Sequence, residues 1–165
     1  MGEKLNFNRS YWMDFEESET LDELSVIPVD QAVEKELDIG LASVKKLIAF
    51  LQFKCLTTKA CGYAAPQFGF KNKVFVVFFK GKFFNFINPK IIHLNPISQE
   101  DDVAMVEGCM SLPGEKYLVQ RRNKITIVPF EDCPPKVFCG MLSRIVQHEL
   151  DHLDNKFISQ IGIRI

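Results

Sequence analysis

His148 and His152 stand four residues apart in the run Gln147-His148-Glu149-Leu150-Asp151-His152. On a helix, positions i and i+4 share a face, so both imidazoles can reach one metal ion. Glu149, beside the pair, can hold or deprotonate a water at that ion. Two imidazoles leave a tetrahedral catalytic site one protein ligand short, because such a site uses three and keeps a fourth position open. Cys109, in Glu107-Gly108-Cys109-Met110-Ser111, is the candidate third ligand, since a thiolate binds zinc or iron strongly. The chemistry expected of this set is metal-assisted hydrolysis. His93 lies outside every motif and reads as a surface or structural residue.

A helix must carry the two histidines. Pro134-Pro135 break the chain, and from Val137 or Gly140 to Leu153 the residues Met141, Ile145, His148 and His152 recur along one stripe. Asn155, just beyond, can end that helix. An earlier helix is expected over residues 30–53, where Val33, Leu37, Leu41, Val44, Ile48 and Leu51 mark one face. Asp30 can cap it, Glu34 and Glu36 suit the positive end of its dipole, and Gly40 weakens its middle. The β-branched and aromatic run from Lys73 to Phe79, the turn Lys80-Gly81 and the return from Phe83 to Ile87 read as a hairpin ended by Asn88-Pro89. Residues 125–128 read as a further strand.

The bulk properties bound the rest. A chain of 165 residues with 47% apolar and 25% charged residues fits one globular domain with a real core. We place an acidic, polar N-terminal extension at residues 1–25 and a catalytic domain at 26–165. A net charge of −1 argues against nucleic acid as the main partner. No apolar stretch approaches the ~20 residues of a membrane span, and residues 1–14 lack a secretory pattern. The five cysteines, Cys55, Cys61, Cys109, Cys133 and Cys139, fit no disulfide or zinc-ribbon spacing, so a reducing, cytosolic compartment is expected.

A third run, Gly62-Tyr63-Ala64-Ala65-Pro66-Gln67, completes an ordered trio: GxAAPQ, EGCxS and QHExDH. The trio resembles the peptide deformylases, metal enzymes that remove the N-formyl group from new bacterial polypeptides. The resemblance covers roughly residues 27–157. It implies an α+β fold, a mixed and mainly antiparallel sheet wrapped around the metal-binding helix. It implies one divalent metal, iron(II) in the first place, with zinc, nickel or cobalt as alternatives. It implies nascent N-formylmethionyl peptides as substrate and a bacterial cytosol as the setting. Only 13 residues follow His152, so docking on the ribosome through a C-terminal helix is not expected. A monomer without membrane or direct nucleic-acid partners is expected, and so compact a form would suit a phage or a streamlined genome.

Roles for single residues follow from the same resemblance. Glu149 is the general base and later the acid. The Gln67 side-chain amide and the Met110 backbone N–H stabilise the oxyanion. Gly62 and Gly108 belong to the substrate edge, Gly62 by permitting close approach of substrate backbone. Met141 and Ile145 suit an apolar wall for the first side chain. Glu107 and Arg121 are expected to pair behind the cysteine loop. The sequence departs from the family at Ala60 and Cys61, where glycine and a branched aliphatic are usual. It departs again at Arg144, where an aliphatic is usual. The Arg144 stem is expected to line the pocket and its charge to reach solvent, altering the preference for the first side chain. Two other readings compete. A zinc endopeptidase shares H-E-x-x-H, but usually takes histidine or glutamate as third ligand. A structural metal pin needs neither Glu149 nor Gln67.

Overall fold

The computed structural model describes residues 41–93 and 102–165. The N-terminal extension, the domain boundary near residue 25 and the first part of the helix expected over residues 30–53 lie outside the described residues. Helix α1 spans Leu41–Thr58. It runs past Phe53 because Cys55 extends the face of Val44, Leu47, Ile48 and Leu51 and is buried with them. Lys59 then adopts φ 58°, and the Ala60 N–H donates to the Cys55 carbonyl at 3.0 Å, which closes the helix as a Schellman motif.

Strands β1 (Gly62–Ala64), β2 (Val74–Phe79) and β3 (Lys82–Ile87) form one antiparallel sheet in that order. Lys80 and Gly81 both have positive φ, as a tight two-residue hairpin requires. In β2 the faces alternate. Val74 and Val76 pack with α1, whereas Phe75 and Val77 pack with the histidine helix. Burial on both faces explains why this strand is apolar throughout rather than at every second residue.

Strands β4 (Lys90–His93), β7 (Lys124–Val128) and β8 (Lys136–Cys139) form a second sheet in the order β4-β7-β8. Helix α2 spans Gly140–Leu153, so the later of the two expected starts holds, and residues 136–139 are strand instead. Asn155 (φ 53°) closes α2, with the Lys156 N–H donating to the Asp151 carbonyl at 2.8 Å. The apolar side of α2, through Leu142, Val146, Leu150 and Leu153, packs on Phe75, Val77, Phe86, Ile125, Ile127 and Phe138 of the first two sheets.

The third sheet contains a long hairpin, β5 (Asp102–Cys109) and β6 (Leu112–Arg122), with β9 (Ile163–Arg164) on the far side of β6. The tail after α2 is therefore anchored. A single turn, α3 (Ile158–Ile161), buries Ile158 against Tyr117 and Val119 before β9 pairs with Tyr117 and Leu118. The architecture is α+β, antiparallel strands disposed around α2.

Candidate metal centre and cleft

Two local devices bring the three expected ligands together. The first is α2, which turns its polar side toward the β5–β6 hairpin. Gln147 fixes that approach: it accepts from the Arg122 N–H at 3.1 Å and donates to the Arg122 carbonyl at 2.7 Å. The second is an irregularity in the hairpin. Gly108 pairs with Lys116, yet Cys109 pairs with Leu112, so Pro113, Gly114 and Glu115 bulge out of β6. Gly114 takes φ 76° there. Such a bulge re-aims the neighbouring side chain.

The ligand atoms of Cys109, His148 and His152 all lie within 4.8 Å of one another. Cys109 Sγ is 3.3 Å from His152 Nε2. Tetrahedral bonds of 2.0–2.3 Å would set a thiolate and an imidazole nitrogen about 3.5 Å apart, so the set fits zinc or iron(II). The His148 Nδ1 lies 3.0 Å from Glu107 Oε2, which leaves its Nε2 for an ion. The titration of the metal-free protein reflects this crowding. Burial opposes the charge on His148, yet hydrogen bonds to Cys109 and Glu107 together with the charge of Glu149 push it up to about 10. His152 falls to about 3 through burial and the positive charges of His148 and Arg121.

Glu149 is 4% exposed, and burial pushes its carboxyl up to about 7 against the attraction of His148 and Arg121. Its Oε2 is buried without a hydrogen-bond partner. An unpartnered buried oxygen beside an imidazole pair is the feature expected of a group that handles a water and a proton at an ion. Gly62 makes room for it. A Cβ at position 62 would stand 2.6 Å from Glu149 Oε1 and 2.9 Å from both its Cδ and Cγ. One close approach that Gly62 permits in this structure is that of Glu149.

Gln67 is buried at the end of the turn after β1. Its Oε1 accepts from the Ala64 N–H at 2.9 Å, which points Nε2 at Ser111 Oγ (3.1 Å) and toward Cys109 Sγ (4.0 Å). Met110 and Ser111 form the turn joining β5 to β6, and Met110 lines the cleft.

Glu107 and Arg121 pair as expected, with Arg121 Nε and Nη2 each 2.9 Å from a different Glu107 oxygen. Despite its burial, Glu107 is held down at about 2 by hydrogen bonds from His148 and Arg121. Arg144 departs from expectation. Its guanidinium is buried, donating to Glu107 Oε1 at 2.5 Å, to the Val119 carbonyl at 3.0 Å and to the Val103 carbonyl, rather than reaching solvent. Sequence reasoning also left Asp151, Gln147 and Ser111 without roles. Asp151 accepts from Arg121 Nη1 at 2.5 Å, and all three sit inside the motif runs, which was the available signal.

Cys109, His148, Glu149 and Gln67 face a cleft of about 500 Å³. Cys61, Gly62, Met105, Val106, Met141 and Ile145 supply much of its wall, with Gly108, His148 and Glu149 beside them. The cleft can admit an apolar side chain next to the metal set.

A hydrolase built around one metal ion is the class that this fold and site define. The family model described as polypeptide deformylase matches residues 28–161. The peptide deformylase of Karelsulcia muelleri is 35% identical over 140 residues, covering 78% of this chain and 70% of that protein. That of Symbiobacterium thermophilum is 35% identical over 119 residues, 68% of this chain, which spans 52% of that longer protein. The crystal structure of the Thermotoga maritima peptide deformylase superposes with a TM-score of 0.74 at 23% identity, covering 84% of this chain and 96% of that one. The chain belongs to the peptide deformylase family, single-metal hydrolases that remove the N-formyl group from nascent polypeptides. Among the described residues, no helix is long and apolar enough to cross a membrane.

Proposed function

We propose that this chain deformylates nascent N-formylmethionyl peptides, with Cys109, His148 and His152 holding iron(II) as the working metal. The observation that carries the reading is the meeting of that donor set with the unpartnered, buried Glu149 Oε2. When bound, the ion would supply Lewis acidity that acidifies a water and polarises the formyl carbonyl. Glu149 takes the proton of the attacking water and returns it to the departing amine. Gln67 Nε2, aimed by the bond that the Gln67 Oε1 accepts from the Ala64 N–H, and the backbone N–H of Met110 donate to the oxyanion that forms. Met141 and Ile145 form the apolar wall for the methionine side chain, and Gly62 and Gly108 line the peptide path. A reducing cytosol suits the five free cysteines.

Protein purified anaerobically and loaded with iron(II) is expected to bind one ion per chain and to release formate from formyl-Met-Ala-Ser. Cys109→Ala is expected to lose both properties. Formate release that survives exhaustive chelation, or full metal binding by Cys109→Ala, would overturn the reading.

A further inference from the structure

Arg144 lies on α2 one turn before His148. The residue borders the cleft while its guanidinium is bonded inside the fold, and it is only 6% exposed. From there it reaches both strands of the hairpin that carries Cys109: the Val103 carbonyl and Glu107 on β5, and the Val119 carbonyl on β6. A carboxylate offers about four lone-pair sites. On Glu107 all of them are taken. Oε1 receives Arg121 Nε and Arg144 Nη1, and Oε2 receives Arg121 Nη2 and His148 Nδ1. Arg121 and Arg144 also face two carboxylates, Glu107 and Asp151, with His148 as a further partner of Glu107. An aliphatic residue at position 144 would free one lone pair of Glu107 and remove a donor from two backbone carbonyls.

We infer that Arg144 is a positioning residue for the metal centre: it locks the Glu107 carboxylate, and through it the His148 ring, so that the loaded site holds its ion. The inference rests on the ligand set proposed above. Partners that orient a ligating histidine typically change metal affinity by ~10–100-fold when removed. Arg144 would act on the opposite side of the carboxylate from the histidine, as a second fork beside Arg121.

The test uses cobalt(II)-loaded protein, read by the thiolate-to-cobalt absorption band and by the rate of cobalt transfer to a chelator. Arg144→Met is expected to release cobalt about 10–100-fold faster than wild type and to shift the cobalt spectrum. Arg144→Gln, which keeps two N–H donors, carries the same expectation if the methionine variant does not fold. Val146→Ala, a cavity on the apolar side of the same helix, is expected to lower the melting temperature yet release cobalt at the wild-type rate. Release by the Arg144 variants within about twofold of wild type, against the ~10-fold or more expected of an orienting partner, would overturn the inference. So would equal acceleration in Val146→Ala, which would mean general softening. A wild-type protein lacking the thiolate band would instead bring down the ligand set itself.

Discussion

Gly62→Ala is a one-carbon perturbation whose effect can be worked from the structure. The new Cβ would meet Glu149 Cγ and Cδ at 2.9 Å and Oε1 at 2.6 Å. Ordinary carbon contacts lie at ~3.5–4.0 Å, so Glu149 must retreat by at least about 0.6 Å. It can do so at little cost, because the atoms met are the far end of a flexible side chain that lines the cleft. Position 62 is not among the positive-φ residues, so alanine is compatible with the backbone and even reduces the entropy of the unfolded chain. Stability and activity should therefore separate. The melting temperature is expected to stay near that of wild type, while kcat falls about 10–100-fold, since a 1 Å misplacement of a reacting group can cost ~10². Formate release from formyl-Met-Ala-Ser, measured with metal content and thermal melting, is the assay. KM distinguishes the mechanisms: a displaced Glu149 lowers kcat with KM little changed, whereas a clash with substrate backbone raises KM. Activity equal to wild type, or a loss confined to KM, would refute the placement of Glu149 against Gly62.

Two more outcomes follow from the buried charges. Glu149 has an ordinary value of 4.5 and is raised to about 7 when folded without metal. The folded chain then binds more protons between those values, so its stability falls as pH rises from about 4.5 to about 7 and does not recover above. In chelated protein, Glu149→Gln should melt above wild type at pH 8, by about 3 kcal/mol at most, and equally with it at pH 4. No difference at pH 8 in calorimetry would exclude a penalty for ionising the buried carboxyl. Glu107→Gln and Arg121→Met should each cost about 3–5 kcal/mol, because each strands a buried partner. The double variant should cost about 1–3 kcal/mol less than their sum, and strict additivity in denaturant titration would show that the two do not act as a pair.

The metal helix was legible because a catalytic pair at i and i+4 and the apolar stripe share one local geometry. The β2–β3 hairpin was legible through its β-branched run and its Lys80-Gly81 turn. The β5–β6 hairpin was not. Val103, Met105 and Val106 are exposed, the turn is Met110-Ser111 rather than a pair favoured in hairpins, and Pro113-Gly114 reads as loop although it forms the bulge. In β6 the buried positions are Tyr117, Val119 and Arg121, and the buried arginine disguises the alternation. Arg144 was misread for a related reason. Its partner Glu107 lies 37 residues away, and no local pattern announces that a cation will find a carboxylate inside the fold. Gly62 was read as giving room for close approach, but its contact with Glu149 was not legible, because Glu149 comes from a different element.

The most direct measurement is formate release by iron(II)-loaded wild type beside Glu149→Ala, both assayed at the same measured metal content. Fast release by wild type, with the variant binding its ion yet losing about 10²–10⁴ in rate, is the expected result for a general base at an intact metal site. Release by Glu149→Ala at the wild-type rate, or none by a wild type holding one ion per chain, would contradict it.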